Sequence, residues 1–179
     1  LEDGSVKGVS ARVIGANGQA VTGPFRLNDF TRGNQHKSSL ADLPGGGFAA
    51  VWVSDQQQDI QSLDVVVRIF SATGQPLGDE VVANASGISA NPSVAVAGDT
   101  LVVAWEQLNL EQKTHRWDIG VRSFDLSLKP LSEPVLANSH KVGDQFAPQL
   151  RGSADGAMLV WNSLGQDKSR ESVMGRFVS

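Results

Sequence analysis

The sequence predicts an all-β protein made of propeller-like repeats, each one a blade of four antiparallel strands. Three observations lead to this prediction. An arginine within an apolar run recurs at intervals of about 54 residues, and a tryptophan ends another apolar run once in each interval. Nearly every apolar run is strand-sized and bounded by glycine, proline or asparagine. A β-trefoil, which also contains three repeats of four strands, is the alternative fold.

Three residue types mark the repeat, and asparagines follow the first three arginines at a constant distance. These marker positions are Arg12, Arg68, Arg122 and Arg176, then Trp52, Trp105 and Trp161, then Asn28, Asn84 and Asn138. They divide the chain into three repeats and the beginning of a fourth, at about 6–63, 64–117, 118–171 and 172–179. We therefore interpret the 179 residues as a single repeat-built domain.

The strands of one repeat, here named A to D, follow from the turns between them. Asn17-Gly18 supplies the positive φ angles of a tight C–D turn, and Pro44 with three glycines turns strand A into strand B. The predicted order is C-D-A-B three times and then one more C. The ranges are 6–14, 24–28, 37–43 and 48–53, then 64–70, 79–84, 92–97 and 100–106, then 118–124, 133–138, 148–152 and 157–161, then 172–178.

The burial expected of each strand fits a radial blade. Strand B is apolar on both faces between Leu101 and Trp105, which predicts a strand buried on both sides. Strand D is mixed and carries Asp79 and Glu80, as expected at a sheet edge where charge discourages pairing with other chains.

Composition excludes several classes of function. The formal net charge of −4 gives no basic footprint for nucleic acid, and no apolar run reaches the ~18 residues of a membrane helix. The absence of cysteine excludes disulfides, thiolate metal sites and a cysteine nucleophile. The chain begins with Leu1 rather than methionine, from which we expect a processed chain or a segment of a longer one.

The repeat resembles one found in very long bacterial surface and secreted proteins, including adhesins of the repeats-in-toxin type. The resemblance rests on an apolar run ending in Trp52, then Arg68 followed by Phe70, then Gly74 with Pro76-Leu77, then Asn84. It implies propeller-like blades and an extracellular or cell-surface location, and it brings no catalytic residues. The third repeat departs from the pattern at Leu128, where a turn glycine is expected, and the chain has no calcium-binding nonapeptide.

A second comparison gives no site. The segment from Ser153 through Asp155-Gly156 to Trp161 is similar to the Asp box of sialidase-like propellers. Its glycine and tryptophan spacings differ from that motif, and the other repeats lack the serine. No sialidase residues are carried over.

The repeated arginines and tryptophans predict structural roles. One arginine per repeat, on an apolar strand face, suits a buried stem whose head bonds to carbonyls or stacks on an aromatic ring. A ring of guanidinium groups that binds anions is the functional alternative. The tryptophans that end buried strands are expected to pack between blades, whereas Trp117 is expected in the long B–C loop, tucked onto its own blade or stacking on a sugar or a partner.

We expect no cofactor and no metal. Asp55, Asp59 and Asp64 could offer oxygen ligands to calcium, which is the lesser alternative, but their spacing matches no tight ligand loop. The three histidines lie in different repeats without zinc-ligand spacing. A glycosidase needs two carboxyl groups ~5–10 Å apart, which acids in several loops could provide.

Loop length gives the functional hypothesis. The A–B and C–D turns are short, whereas the D–A and B–C connections are long and polar and leave an up-and-down blade from the same face. We expect a non-catalytic scaffold or recognition module that binds a glycan or protein there, with a sialidase- or glycosidase-like hydrolase as the alternative. The candidate binding residues are Arg32, His36, Asp55, Asp59, His115, Arg116, Trp117, His140, Asp144, Asp167 and Arg170.

Three four-stranded blades are few for a ring, since propellers have about four to eight. The sequence therefore predicts that the ring is completed by a second copy about a two-fold axis or by further blades of a longer chain.

Overall fold

A computed structural model describes residues 7–110, 117–166 and 170–179. These residues form thirteen strands and no helix, and none of them belongs to a helix able to cross a membrane. The strands are β1 Ser10–Ala11, β2 Phe25–Arg26, β3 Gln35–Asp42, β4 Phe48–Asp55, β5 Leu63–Phe70, β6 Val81–Val82, β7 Ser89–Ala97, β8 Thr100–Leu108, β9 Trp117–Asp125, β10 Val135–Leu136, β11 Gln145–Ser153, β12 Gly156–Leu164 and β13 Glu171–Val178.

The strands form four separate antiparallel sheets, which we call blades 1 to 4. Blade 1 is β1-β2, blade 2 is β3-β4-β5-β6, blade 3 is β7-β8-β9-β10 and blade 4 is β11-β12-β13. The innermost strands β3, β7 and β11 contact one another in succession, so the blades radiate from a common axis. This arrangement confirms the all-β, propeller-like prediction and is not that of a trefoil.

The core consists of layers between consecutive blades. Between blades 2 and 3, Val51 and Val67 of blade 2 pack against Val103, Trp105 and Phe124 of blade 3. The opposite face of blade 3 packs in the same way on blade 4, and blade 1 covers Trp52 of blade 2. The both-faces-apolar pattern of strand B follows from this stacking, because β4 and β8 each lie between two neighbouring blades.

Each innermost strand begins two or three residues earlier than predicted and contains one bulge. The bulges lie between His36 and Ser39 and at the corresponding points of β7 and β11. Lys37, Asn91 and Ala147 adopt positive φ at these bulges. A proline follows two of the three bulge residues and can be held there because a bulge leaves one residue outside the ladder. Those prolines are the starts of two of the strands predicted from the sequence.

The outer strands are shorter than predicted. Strand D has two residues in each of blades 1 to 3, and the first strand C is Ser10–Ala11 rather than 6–14. The repeat asparagines explain the shortening of strand D. Asn84 Oδ1 accepts the backbone N–H of Val65 at 2.7 Å, so a side chain replaces the next rung of the ladder. Asn28 and Asn138 do the same for Val9 and Ile119.

The C–D turn requires a left-handed residue in every repeat. Gly18, Gly74 and Leu128 occupy this position with φ of 78°, 80° and 65°. Leucine is strained in this region, but Leu128 packs against the core between blades 2 and 3. Burial of its side chain offsets the strain, which accounts for the departure from the glycine pattern.

Asp125 organises the same turn in blade 3 and leads to a pH prediction. Its pKa lies below the ordinary 3.8, first because the Ser127 hydroxyl donates to it and then because the Lys129 and Ser127 N–H groups do so. A depressed folded pKa stabilises the fold above the ordinary value, and this contribution is lost as the pH falls through the lowered one. In an NMR titration, we expect Ser127→Ala to raise the pKa of Asp125 towards 3.8. An unmoved pKa would contradict this account.

In the part of the chain that the structure describes, the four blades do not close into a ring through strand pairing. Strand β13 pairs with β12 along one edge, and β1 pairs with β2; no pairing joins β13 to β1 or β2.

Candidate functional site

The two repeat arginines within complete blades link their own blade to the one before. Arg68 Nε donates to Gly78 O at 2.8 Å, and its Nη1 donates to Leu27 O of blade 1 at 3.1 Å. Arg122 repeats both bonds, with Ser132 O and with Ala83 O of blade 2. Each guanidinium also lies over the phenylalanine two residues further on. These heads are occupied by the scaffold, which leaves them poorly placed to form an anion-binding ring.

The repeat tryptophans lie in the layers between blades. Trp52 and Trp105 are fully buried, and Trp161 is nearly so, with its Nε1 donating to Gln145 Oε1 at 3.0 Å. None of these rings is offered to solvent, so none is available to stack on a sugar.

A buried carboxylate holds the first B–C loop, residues 56–62. Asp64 Oδ2 accepts the N–H groups of Gln57 and Gln58 and the hydroxyl of Ser62, and Oδ1 accepts the Gln58 side-chain amide. Asn84 donates to the same Oδ1 at 3.4 Å. Asp64 therefore shapes the loop through hydrogen bonds. Its partners in the calcium hypothesis lie elsewhere, Asp55 at the end of β4 and Asp59 at the exposed loop tip.

The long connections meet on one face, which we call the long-loop face. At two blade boundaries, a residue at or shortly before the start of strand C touches the residue just before the next blade's innermost strand. Leu63 forms a parallel bridge with Ile88, as Lys7 does with Asn34. The B–C and D–A connections therefore adjoin each other at these two boundaries, in agreement with the prediction from loop length.

Three predicted binding residues form one polar cluster at the boundary of blades 1 and 2. His36 Nε2 lies 3.4 Å from Asp55 Oδ1, and Asp55 Oδ2 accepts the Asn34 side-chain amide at 2.9 Å. Arg32 Nε donates to Gln56 Oε1 at 3.1 Å. Hydrogen bonds to Asn34 and Gln56 thus organise Asp55 and Arg32 at the surface without burying the cluster.

Two further predicted residues meet at the boundary of blades 3 and 4. Trp117 N donates to Asp144 Oδ1 at 3.2 Å, and Lys141 Nζ lies 3.9 Å from Asp118 Oδ1. The placement of Trp117 in a loop was wrong, because it opens β9 opposite Leu108 and occupies the same repeat position as Leu63. Its ring is half-buried.

The remaining predicted residues are dispersed. His140 lies in the third D–A connection, where its carbonyl accepts the Asn138 amide, and its Nε2 is buried without a hydrogen-bond partner. Asp59 and Arg170 are exposed in separate B–C loops. His115, Arg116 and Asp167 lie outside the described residues.

A cavity of about 230 Å³ opens on the long-loop face between blades 2 and 3. Asp59 and Gln61 form its polar side, and Ile88, Leu108 and Leu110 form its apolar side. Its volume is below the ~300–1,000 Å³ of sites for drug-sized ligands, so it suits a single ring-sized group. The three apolar residues were not predicted from the sequence, although the leucine after β8, within a polar connection, was a visible signal.

Other concave regions lie away from this face. A groove of about 400 Å³ runs along the axis between β3, β7 and β11, with Asp42 and Arg151 among its lining residues. A cavity of about 560 Å³ lies on the short-turn side between blades 3 and 4, where the A–B turns place Asp99 and Asp155 in its wall.

No protein-family model matches the chain, and no curated protein matches its sequence. Solved structures do resemble it. An endo-arabinanase of glycoside hydrolase family 43 from Bacillus licheniformis aligns with a TM-score of 0.53 at 11% identity, over 90% of this chain and 60% of that one. A thermostable family-43 glycoside hydrolase gives 0.52 at 9% identity, over 86% and 58%. A Bacillus subtilis arabinanase gives 0.51 at 11% identity, over 87% and 57%.

These structures are β-propellers, and at such low identity the likeness concerns the fold alone. The chain spans less than two-thirds of the length of each. The propeller-like repeat inferred from the sequence is thereby confirmed, whereas nothing in the comparisons supports an origin among adhesins.

Proposed function

We propose that the chain belongs to a β-propeller that acts on glycans and that it holds a sugar unit in the cavity of the long-loop face. The observation that carries this proposal is the composition of that cavity. Ile88, Leu108 and Leu110 offer an apolar surface for the face of a sugar ring, while Asp59 and Gln61 offer hydrogen-bonding groups for its hydroxyls. The fold shared with arabinan-cleaving propellers supports glycans over proteins as the ligand class.

The polar cluster of Arg32, His36 and Asp55 extends the same surface. Loop 56–62 joins the two regions, because Gln56 at its start bonds to Arg32 and Gln61 near its end lines the cavity. A ligand longer than one sugar unit would therefore find further donors and acceptors beside the cavity. An extracellular or cell-surface location, where polymeric glycans occur, is part of this proposal.

Binding is tested with arabino-oligosaccharides as the probe. We expect saturable NMR shifts or calorimetric binding, weakened several-fold by Gln61→Ala and by Leu110→Ala, because each removes one side of the cavity. Leu77→Ala is the matched control, since Leu77 is a similarly exposed leucine in the C–D connection on the opposite side. Equal losses from Leu77→Ala and Leu110→Ala, or no binding at all, would contradict the proposal.

Hydrolysis is the second candidate, and the comparisons favour it over adhesion. Cleavage requires two carboxyl groups facing one site. The cavity on the long-loop face has one carboxylate among its described lining residues, Asp59, whereas the short-turn cavity has Asp99 and Asp155. Release of reducing sugar from arabinan that is abolished by Asp99→Asn or Asp155→Asn and retained in Asp59→Asn would support hydrolysis at the short-turn cavity.

A further inference from the structure

One sheet face of blade 4 is open, and strands β12 and β13 carry exposed apolar side chains on it. Met158, Val173 and Phe177 are 47%, 73% and 50% exposed, although all three lie within strands. Met158 pairs with Phe177, and Val160 pairs with Gly175 on the same face. We call these three exposed side chains, with the half-buried Val160, the open blade face. The alternate residues of β12 point the other way and pack on blade 3.

The repeat shows what covers this face in the other blades. Met158 precedes Trp161 by three residues, as Val102 precedes Trp105. Val173 precedes Arg176 by three residues, as Ile119 precedes Arg122. Val102 and Ile119 are buried, and both belong to the layer in which Trp161 packs.

The layer between blades 2 and 3 follows the same rule. Ala49 and Val65 occupy the corresponding positions of blade 2, and the tryptophan that covers them is Trp105. In both layers, therefore, this face receives the face of the following blade that carries the strand-B tryptophan.

We propose that the open blade face is a docking surface for a further blade of this repeat type, which inserts its strand-B tryptophan between Met158 and Val173. The continuity of the face with two existing interfaces supports this occupant. A second copy of the chain fits less well, because Trp52, Trp105 and Trp161 are already buried in its own layers.

The outward face of blade 1 in a second copy is also too polar to cover the open blade face. The outward face of blade 1 carries Ser10 and Arg12, since the alternate residues Val9 and Ala11 pack towards Trp52. Placing that arginine against an apolar sheet would remove its charge from water without a partner, which is costly.

The test adds residues 71–124 once more after Val178 of the full chain. Phe70 and Val178 occupy the same position of the repeat, so the segment that follows Phe70 can follow Val178 in the same register. It adds the outer strand that blade 4 lacks and three strands of a further blade, which include a second copy of Trp105. It contains no methionine, so the two methionines of the chain become reporters. Met158 lies on the open blade face, whereas Met174 packs against blade 3.

We expect peroxide to oxidise Met158 faster than Met174 in the original chain, because oxidation follows exposure. In the extended chain, Met158 should oxidise several-fold more slowly, and alanine in place of the added copy of Trp105 should restore the faster rate. Phe177→Ser should lower the melting temperature of the extended chain and leave that of the original chain nearly unchanged.

Three results would overturn the proposal. Met158 could stay equally reactive in the extended chain, or the added segment could stay unfolded by circular dichroism although an intact blade is there to receive it. The original chain could instead protect Met158 in proportion to its concentration while light scattering shows dimers, which would identify a second copy as the occupant.

Discussion

Trp105→Ala is expected to lower the free energy of unfolding by about 3–5 kcal/mol, the range for truncating a large aromatic side chain in a core. Trp105 is fully buried and packs between blades 2 and 3 with Val51, Val67 and Phe124. It also lies opposite Gly120, where an added Cβ would come within 2.5 Å of the indole ring. The site is therefore shaped for this side chain, and the rigid sheets on both sides cannot collapse onto the space that it leaves.

The measurement is chemical denaturation, with Trp117→Ala as the control. Trp117 is half-buried at the start of β9. Trp117→Ala should therefore lower the free energy of unfolding by less than half as much as Trp105→Ala. Trp105→Phe is a second control. It retains most of the apolar volume and removes an indole N–H that has no hydrogen-bond partner, so its cost should fall well below that of alanine. A larger loss from Trp117→Ala than from Trp105→Ala would show that the layers are packed differently.

Asp64→Ala is expected to cost about 3 kcal/mol, because hydrogen bonds to a charged group contribute about 1.5–3 kcal/mol and several are lost together. The carboxylate is fully buried and accepts bonds from Gln57, Gln58, Ser62 and Asn84. Without it, loop 56–62 loses the group that closes it. The side of the long-loop-face cavity formed by Asp59 and Gln61 should become disordered as well.

Asp59→Ala separates the two effects. Asp59 lies at the tip of the same loop, and its carboxylate accepts one backbone hydrogen bond, from Gln61 N at 2.7 Å. We expect it to change stability little, while Asp64→Ala lowers both the denaturation midpoint and the protection of the loop amides in hydrogen exchange. Equal stability of these two variants would show that Asp64 does not hold the loop.

Much of the fold is determined locally and could be predicted from the sequence alone. The period, the strand order and the propeller-like class follow from apolar runs, turn glycines and the recurring Trp105-type position, because alternation and turn chemistry are properties of short segments. The long-loop face also follows, since strand order alone decides from which end of a blade each connection leaves.

Tertiary structure decided the rest. The length of strand D depends on whether the Asn84 side chain or the backbone completes the ladder, and both choices suit the same residues. The true place of Trp117 depends on contact with the following blade through Asp144. The cavity on the long-loop face joins residues from loops far apart in the chain, such as Gln61 and Leu110. These groups come together only when neighbouring blades pack. Contacts between blades cannot be predicted from the pattern of residues along the chain.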